Sequence, residues 1–288
     1  MSAADPPLPP GPAAEARLLH HGGRSGRWGN LGLWPDDLQG TDYATACTAL
    51  ADCLAQAAAL ERGTRLLALG CGAGEELRHW QRRFALADSV GLEPDAARRA
   101  IARRGEPAGG DGIEAIDEDG ARAPRLLDAP ASELLAAAGD GFHTLLALDS
   151  AYHFGQRARW LAQAHAALRP GGRIAFTDLV LEPRGALQSL AASALRRLAQ
   201  LPAVHIPELT PRAGVLAALA AAGFEEVEAT DLSHAVLGGF ARFVALQARR
   251  IGPLAATPAW ARVAATARWI GPARRIGLHY LLFSARRR

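Results

Sequence analysis

The chain has 288 residues, of which 49% are hydrophobic and 21% are charged, and its formal net charge is +3. That length allows one large domain or two small ones, and the composition predicts a soluble globular protein with a sizeable core. No stretch approaches the ~18 consecutive apolar residues of a transmembrane helix, and the first residues lack the basic start and apolar run of a signal peptide. The three cysteines show no C-x-x-C spacing, so we expect a reducing, cytoplasmic location with no disulfide framework and no cysteine-based zinc site.

All 32 basic residues are arginines, and the chain contains no lysine. A Walker A loop needs a lysine on the phosphates, and Schiff-base catalysis needs a side-chain amine, so both are excluded. His143 and His165 do not fall at metal-ligand spacing, and no H-E-x-x-H motif occurs. We therefore expect no metal site.

We predict a disordered tail over residues 1–25, which are rich in proline, glycine and alanine. A single domain follows over residues 26–288 and begins with an N-terminal helical cap, residues 26–62, in which Tyr43–Leu60 carries apolar residues at helical spacing. Strands then alternate with helices. The predicted strands are Thr64–Leu69, Ser89–Leu92, Arg125–Leu127, His143–Leu148 and Arg173–Asp178, and the helices between them are Glu75–Ala87, a helix ending at Arg104, and Arg157–Leu168. This alternation predicts an α/β fold with a doubly wound parallel sheet and helices on both faces.

The regular alternation is interrupted at three places. The glycine-rich, acidic segment 105–124 is predicted to be an exposed loop, and Arg169–Gly172 a turn. After Leu181 two helices precede the next strand, so we expect residues 181–222 to form a helical lid insertion over the strand ends. The elements predicted from there on are the helices Ala186–Leu201 and Pro211–Ala222, the strand Glu226–Asp231, a long helical region and a last strand, Leu278–Phe283.

A glycine-rich turn, Gly70-Cys71-Gly72-Ala73-Gly74, directly follows the first predicted strand. Glycines there let a ligand approach the backbone, and the helix that starts after them offers unpaired N–H groups. Glu93, 19 residues after Gly74, ends the second strand, where a carboxylate can accept hydrogen bonds from ribose hydroxyls. The arrangement therefore predicts a nucleoside site.

The sixth position of this turn indicates which nucleoside binds. In the dinucleotide fingerprint G-x-G-x-x-G this position is a glycine or alanine, but here it is Glu75, whose charge would repel a pyrophosphate. The pattern G-x-G-x-G instead favours a ligand without phosphate. S-adenosylmethionine fits, because it joins adenine and ribose to a cationic sulfonium and an amino acid.

The segment Leu66–Gly74 resembles the first S-adenosylmethionine-binding motif of class I methyltransferases. Further segments that resemble the family follow in the same order, and these are Glu93, Asp128-Ala129, Leu148-Asp149-Ser150, Leu168–Arg173 and Gly223-Phe224. The resemblance spans roughly Trp28 to Phe283 and implies a seven-stranded Rossmann-like sheet with S-adenosylmethionine as the cofactor. The cofactor-binding residues that it implies are Gly70, Cys71, Gly72, Gly74, Glu93, Pro94, Asp128, Ala129, Leu148 and Asp149.

The N-terminal segment narrows the resemblance. Asn30–Trp34, followed by Tyr43, is similar to the cap of methyltransferases that act on natural products, sugars and quinone-like rings, and Asp231-Leu232-Ser233 also recurs in that group. Trp34 and Tyr43 are candidates to close over the cofactor or the substrate, with core packing as the alternative. Tyr152 is a candidate to line the acceptor site, with simple burial as the alternative.

His153 and Asp178 form the candidate catalytic pair. Methyl transfer is an in-line displacement whose rate depends on positioning, and a hydroxyl acceptor also benefits from a base. His153 follows the fourth predicted strand and Asp178 ends the fifth, so both should face the crevice above the carboxyl ends, where the carboxylate can fix the tautomer of the imidazole. Natural-product O-methyltransferases, which the chain resembles, carry a His–Asp pair at matching positions. The alternatives are positioning without proton transfer or a structural role for His153, and a structural role for Asp178.

We therefore expect the protein to transfer a methyl group from S-adenosylmethionine to a small organic acceptor, at a hydroxyl oxygen and with His153 as the base. Within the same class, C- or N-methylation is the alternative. Outside it, two other functions stay open. One is a nucleotide-binding oxidoreductase, which Glu75 disfavours, and the other is a non-catalytic S-adenosylmethionine-binding protein.

The C-terminal segment, residues 232–288, contains ten arginines and no acidic residue, so it carries +10 whereas residues 1–231 carry −7. Pairing with the acidic remainder of the chain, or solvation, is the first interpretation. The segment also contains four large aromatic residues, Phe240, Phe243, Trp260 and Trp269. Contact with an anionic membrane surface or a lipidic substrate is therefore the second interpretation. Nucleic acid is disfavoured, because no recognised nucleic-acid motif accompanies the charge.

Overall fold

The computed structural model describes residues 12–24, 26–103, 124–199 and 205–288. Within these ranges one sheet contains the strands β1 (Arg65–Leu69), β2 (Asp88–Leu92), β3 (Arg125–Leu127), β4 (Phe142–Ala147), β5 (Leu168–Leu181), β6 (Phe224–Asp231) and β7 (Leu278–Arg287). Their order is β3-β2-β1-β4-β5-β7-β6. The strands β1 to β5 pair in parallel, and β7 runs antiparallel to both β5 and β6. The predicted doubly wound α/β sheet is confirmed.

Helices cover both faces of this sheet. They are α1 (Pro12–Leu19), α2 (Tyr43–Ala57), α3 (Glu75–Phe84), α4 (Ala96–Arg103), α5 (Leu134–Ala138), α6 (Arg157–Ala167), α7 (Ala186–Ala199), α8 (Arg212–Ala221), α9 (Gly239–Arg250) and α10 (Pro258–Arg275), with short helical turns at Ala131–Glu133, Ala151–His153, His234–Gly238 and Gly252–Ala256. No helix in the described ranges has the length and apolar character needed to cross a membrane.

Two core clusters lie on opposite faces of the sheet. One contains side chains of α1, α2, α3, α9 and α10, and the other contains side chains of α5, α6 and α8. Successive residues of β1 divide between them, with Leu66 and Ala68 in the first cluster and Leu67 and Leu69 in the second. The strand is continuously apolar because both of its faces are covered.

The predicted disordered tail is wrong for residues 12–24. Helix α1 lies in this segment and buries Leu18 and Leu19 in the same core cluster as Trp34. The buried amide of Gln247 on α9 donates hydrogen bonds to the carbonyl oxygens of Leu18 and Leu19. Burial of these apolar side chains and the hydrogen bonds to these carbonyl oxygens offset the entropy lost when the segment becomes ordered. The prediction from composition did not include these contacts. Residues 1–11 of the predicted tail lie outside the described residues.

The predicted turn at Arg169–Gly172 is part of β5. The strand pairs Leu168 with Phe142 and then Arg173 with Thr144, so the residues between form a bulge against β4. A Cβ on Gly172 would lie 2.8 Å from the Arg169 carbonyl oxygen, which explains the need for glycine in so tight a bend. Of the loop predicted over residues 105–124, residues 105–123 lie outside the described residues.

The segment predicted as a lid, residues 181–222, contains two helices with different packing. Helix α7 buries only Ala192 and Ala199 and leaves most of its surface exposed. Helix α8 instead buries Val215 and Leu219 in the core cluster that contains α6. The prediction of a lid is therefore wrong for α8, whose apolar side belongs to the layer that covers the sheet. Residues 200–204 lie outside the described residues.

Candidate active site

The predicted cofactor residues follow four neighbouring strands of the sheet. They are Gly70, Cys71, Gly72 and Gly74 after β1, Glu93 and Pro94 after β2, Asp128 and Ala129 after β3, and Leu148 and Asp149 after β4. Because β1 to β4 are parallel and adjacent, their carboxyl ends meet at one edge of the sheet. The structure thus brings these residues together around a single crevice, as a nucleoside site requires.

Two glycines of the loop after β1 have different physical roles. A Cβ on Gly70, whose φ is +65°, would lie 2.7 Å from the Cβ of Ser150, so only glycine allows this approach to the end of β4. A Cβ on Gly72 would meet no atom within 4 Å. The loop is therefore packed against β4 at Gly70 and open at Gly72. Cys71 is buried beneath it, where burial raises the pKa of its thiol and keeps it protonated.

Glu93 is buried and holds the glycine loop. Its carboxylate accepts hydrogen bonds from the backbone N–H of Gly72 at 2.8 Å and of Asp95 at 2.9 Å, one on each oxygen. A carboxylate has lone pairs for about four hydrogen bonds, so each oxygen retains capacity for a ligand hydroxyl. The position predicted to bind ribose thus also fixes the loop that would lie beneath the nucleoside.

An ion pair connects the second and third strand ends. The Arg99 guanidinium donates to the Glu93 carbonyl oxygen at 2.6 Å and to the Asp128 carboxylate at 2.7 Å. The side chain of Asp128 is 68% exposed, whereas Ala129 beside it is buried and Pro94 is exposed. Arg99, which the sequence analysis did not single out, therefore positions the residue expected beside the adenine.

The glycine loop lies in a negative environment. Glu75 and Glu76 occupy the first turn of α3, directly after the loop. Burial raises the pKa of Glu76 to about 8, and the charges of Glu75 and Glu93 act in the same direction. An anionic phosphate would be repelled here, whereas a cation that approaches would be attracted and would favour ionisation of Glu76.

Asp149 lies at the centre of a hydrogen-bond network after β4. Its backbone has a φ of 51°, a left-handed conformation that is uncommon for a residue other than glycine. Oδ1 accepts hydrogen bonds from the hydroxyls of Tyr152 at 2.8 Å and Tyr280 at 3.0 Å, and Oδ2 accepts from the N–H of Leu31 at 2.8 Å. Burial raises the pKa of this carboxyl, and the hydrogen bonds oppose that rise. Asp149 thereby connects β4, β7 and the N-terminal cap.

His153 lies in the short helical turn after β4, and its Nδ1 is 2.6 Å from the carbonyl oxygen of His205. A carbonyl oxygen only accepts, so Nδ1 carries the hydrogen and the neutral ring has its lone pair on Nε2. Although part of the residue is exposed, burial of the ring beside Tyr152 lowers its pKa, with the His205 carbonyl opposing that change. The imidazole is therefore neutral near pH 7.

The predicted pair of His153 and Asp178 is wrong. Asp178 is buried, and its carboxylate accepts hydrogen bonds from the Arg157 guanidinium and from the N–H of Leu179 at 2.8 Å. Burial raises the pKa of Asp178 to about 6, although Arg157 acts in the opposite direction. Arg157 also lies 3.7 Å from the Glu208 carboxylate. A permanently charged guanidinium compensates a buried carboxylate better than a neutral imidazole, and the His205 carbonyl takes the orienting role that we predicted for Asp178.

Trp34 and Tyr43 belong to the core of the cap and not to a substrate wall. Both side chains are buried, and the Tyr43 hydroxyl and the Trp34 Nε1 each donate at 2.7 Å, to the carbonyl oxygens of Asn30 and Leu31. The Trp34 ring stacks on Phe243 with centroids 4.4 Å apart. These residues reach the site only indirectly, through the backbone of Leu31 and its hydrogen bond to Asp149.

Sequence analysis missed Tyr280, Thr177 and Arg157. The Tyr280 hydroxyl donates to Asp149, so the Thr177 hydroxyl, 2.9 Å away, donates to it, and Thr177 Oγ1 accepts from the N–H of Asp149 at 2.7 Å. Tyr280 and Thr177 carry hydroxyls within the buried parts of β7 and β5, and a polar group in a buried strand needs a partner, so this signal could have marked both. Arg157 offered no local signal, because its partner Asp178 is 21 residues away.

Comparison with known proteins agrees with this geometry. A family model described as a methyltransferase domain matches residues 42–230. The chain belongs to this methyltransferase family. The 27-O-demethylrifamycin SV methyltransferase of Amycolatopsis mediterranei (strain S699) is 30% identical over 213 residues, which cover 72% of this chain and 71% of that relative. The erythromycin 3''-O-methyltransferase of Saccharopolyspora erythraea is 28% identical over 178 residues, 59% of this chain and 54% of that relative.

Solved structures show the same fold. The geranyl diphosphate C-methyltransferase of Streptomyces coelicolor A3(2), solved with Mg²⁺, geranyl diphosphate and S-adenosyl-L-homocysteine, matches this methyltransferase with a TM-score of 0.65 at 16% identity. The match covers 90% of this chain and 91% of that structure. The protein is thus a class I S-adenosylmethionine-dependent methyltransferase of small molecules, and the predicted family, fold and cofactor are confirmed.

The residues of this methyltransferase fit S-adenosylmethionine. The glycine loop leaves open space above Gly72, where a nucleoside can lie on the backbone. Glu93 can accept hydrogen bonds beyond the two that it already receives. Glu75 supplies negative charge for a cationic ligand, and Glu76, whose pKa is raised to about 8, can ionise when the cation binds. The open backbone at Gly72, the hydrogen-bonding capacity of Glu93 and the charge of the site therefore agree with the cofactor that the family uses.

Proposed function

We propose that this methyltransferase methylates a hydroxyl oxygen of a small organic acceptor and that His153 Nε2 accepts the hydroxyl proton. The observation that carries the proposal is the hydrogen bond between His153 Nδ1 and the His205 carbonyl, because it leaves the basic lone pair on Nε2. No hydrogen-bond partner of Nε2 lies among the described residues. A neutral imidazole with a free nitrogen is the form that a general base requires.

Bound S-adenosylmethionine supplies an electrophilic methyl group on its sulfonium. His153 then draws the proton from the acceptor hydroxyl as the oxygen attacks, and it becomes an imidazolium that solvent can deprotonate. Asp149, through its bond to the Leu31 N–H, keeps the cap against the end of β4 and so holds the crevice in one geometry. We propose that Tyr152, which is partly buried and donates a hydrogen bond to the same carboxylate, lines the acceptor site.

Oxygen is the favoured acceptor atom for a second reason. Two relatives, the 27-O-demethylrifamycin SV methyltransferase and the erythromycin 3''-O-methyltransferase, are named for methylation at oxygen. A proton must leave a hydroxyl when its oxygen is methylated, and the neutral His153 supports that step. We propose the hydroxyl of a natural product or of its sugar as the acceptor class.

The test is an assay of radiolabelled methyl transfer on hydroxylated natural products, beginning with 27-O-demethylrifamycin SV. We expect His153→Ala to lower kcat by ~10²–10⁴ with little change in cofactor affinity, because it removes the base. His205→Ala is the matched control. It removes the neighbouring imidazole but keeps the backbone carbonyl that orients His153, so kcat should stay within a few-fold of the wild-type value.

Three results would contradict the proposal. Near-normal kcat of His153→Ala on a methylated acceptor would remove the base role. A label found on carbon or nitrogen of the product would remove oxygen as the acceptor atom. Cofactor binding without any methyl transfer would favour a non-catalytic protein. The pH profile adds a further check, since kcat of the wild type should rise through a pKa below the usual value for histidine and be level by neutral pH.

A further inference from the structure

We propose that helices α7, α9 and α10 form a surface that binds anionic lipid bilayers, independently of which acceptor is methylated. Within the described ranges, the large hydrophobic side chains that are exposed all lie on these three helices. They are Leu187, Leu190 and Leu198 on α7, Leu246 on α9 and Trp269 on α10. Leu187 is 84% exposed, Leu190 71% and Trp269 60%. Such exposure is unusual for large apolar residues that gather in one part of a molecule.

Helix α7 has an apolar stripe that points away from the fold. Its buried residues are Ala192 and Ala199, and the half-buried Leu195 packs against the core beside them. Leu187, Leu190 and Leu198 fall within an arc of about 80° on a helical projection, roughly opposite the two alanines. Three of the four leucines of α7 therefore face solvent and only Leu195 packs toward the protein, whereas most large apolar side chains of an ordinary surface helix face the core.

The same helices lie in the two parts of the chain with the strongest positive charge. Residues 183–207 and 232–288 contain thirteen arginines and no aspartate or glutamate. Some of these arginines are paired, as with Arg262 and Glu15 at 2.5 Å. Five others are exposed and have no side-chain partner in the described residues, and they are Arg197, Arg249, Arg250, Arg268 and Arg275. We call these five arginines, together with the five apolar residues above, the basic apolar surface.

Contacts between the helices make this one region of the molecule. The side-chain amide of Gln188 near the start of α7 donates to the carbonyl oxygen of Arg275 at the end of α10, at 2.9 Å. Helices α9 and α10 share a core cluster through residues such as Phe243 and Trp260. The exposed leucines of α7 and the exposed tryptophan of α10 are thus carried by neighbouring elements.

An anionic bilayer is the partner that this combination fits. Arginine, leucine and tryptophan on exposed helices are the residue types of interfacial helices, with the apolar side chains entering the headgroup boundary and the arginines meeting lipid phosphates. Each arginine near such a surface contributes about fivefold in affinity, and the buried apolar side chains add to this. No described helix is suited to cross the membrane, so the contact is peripheral.

The test uses the full chain and vesicles of phosphatidylcholine, with and without phosphatidylglycerol, at low and at raised salt. We expect the wild type to sediment only with the vesicles that contain phosphatidylglycerol and to be released by salt. Trp269 provides a second readout, because the other five tryptophans are at most 5% exposed. Its fluorescence should shift to shorter wavelength on binding, and Trp269→Phe should abolish the shift.

Two pairs of substitutions test the basic apolar surface itself. Leu187→Ser with Leu190→Ser should weaken vesicle binding by at least about tenfold without affecting folding, since both side chains are exposed. Arg197→Ser with Arg268→Ser should weaken it by about tenfold or more. The matched control is Arg82→Ser with Arg169→Ser, which removes the same charge from exposed sites elsewhere and should leave binding within about twofold.

Three outcomes would overturn the proposal. The first is the absence of sedimentation with phosphatidylglycerol vesicles at low salt. The second is equal weakening by the control pair, which would mean that net charge alone is responsible. The third comes from sedimentation velocity. If the wild type is a dimer that Leu187→Ser with Leu190→Ser converts to a monomer, while neither protein binds vesicles, the surface is an interface between two copies of the chain.

Discussion

The two halves of the crevice are built in different ways. In the cofactor half, at the ends of β1, β2 and β3, a buried carboxylate binds the backbone of the glycine loop, as Glu93 does with Gly72, and the ion pair of Arg99 with Asp128 is partly exposed. In the acceptor half, at the ends of β4, β5 and β7, side chains from distant segments pair, as Asp149 does with Tyr280 and Asp178 with Arg157. The central contact of the first half is between a side chain and backbone, and those of the second half are between buried side chains, so the two should respond differently to substitution.

The largest effect on stability is expected from Arg157→Gln in the acceptor half. The substitution leaves the fully buried carboxylate of Asp178 with only the Leu179 N–H, so the free energy of unfolding at neutral pH should fall by about 3–5 kcal/mol. Urea denaturation measures it. Arg159→Gln, an exposed residue on the same helix, is the matched control and should change stability by less than about 0.5 kcal/mol.

The pH dependence of that effect checks its cause. The pKa of Asp178 is raised to about 6 in the folded protein, above its ordinary value, so the folded state binds the proton more tightly than the unfolded state. The contribution of this group to stability is therefore complete at low pH and falls as the pH rises to about 6. Without Arg157 the pKa rises further and the fall extends to higher pH. An Arg157→Gln loss that is the same at pH 5 and pH 8 would contradict this account.

The same contrast explains how much could be predicted from the sequence. Alternating apolar runs and helical spacing predicted β1 to β4 within one residue at each end, but only the middle of β5, which extends five residues further at its start and three at its end. The glycine loop and Glu93 predicted the cofactor edge from short sequence motifs. The His153–Asp178 pair was wrong because adjacency of two strands does not determine which of several charged groups a buried carboxylate meets. Arg157, on helix α6, forms the ion pair with Asp178, and the hydrophobic periodicity of the sequence does not indicate that contact.

In the cofactor half, Glu93→Ala should weaken S-adenosylmethionine binding by roughly tenfold to a hundredfold, because hydrogen bonds of ribose to a charged acceptor contribute about 1.5–3 kcal/mol. Calorimetry gives the dissociation constant. Asp128→Asn, an exposed position in the same crevice, should have a smaller effect. Since Glu93 also holds Gly72, the 2′-deoxyribose analogue of the cofactor separates the two roles. If Glu93→Ala discriminates against this analogue as strongly as the wild type does, Glu93 supports the loop and does not bind the ribose.

Two tyrosines that donate to the same oxygen of Asp149 should differ in effect. Tyr280 is completely buried, so Tyr280→Phe should lower the free energy of unfolding by about 1 kcal/mol and leave the acceptor KM unchanged. Tyr152 is only partly buried beside His153, so Tyr152→Phe should raise the acceptor KM with a smaller loss of stability. Each variant is the control for the other. Equal changes in KM would show that the hydroxyls act only through Asp149.

The smallest predicted effect is a pH dependence of cofactor binding that arises from Glu76. Its pKa is raised to about 8, so at neutral pH the carboxyl is mostly protonated, and a bound cation would favour its ionised form. The dissociation constant for S-adenosylmethionine should therefore fall a few-fold from about pH 7 to about pH 9. Glu76→Gln should remove this dependence. Glu75→Gln removes a neighbouring charge that helps to raise the pKa of Glu76, so it should move the transition to lower pH without abolishing it.

Calorimetry in buffers of different ionisation enthalpy measures the released proton directly. Proton release that persists unchanged in Glu76→Gln would assign it to another group, and Glu76 would then lie too far from the cation to respond to it.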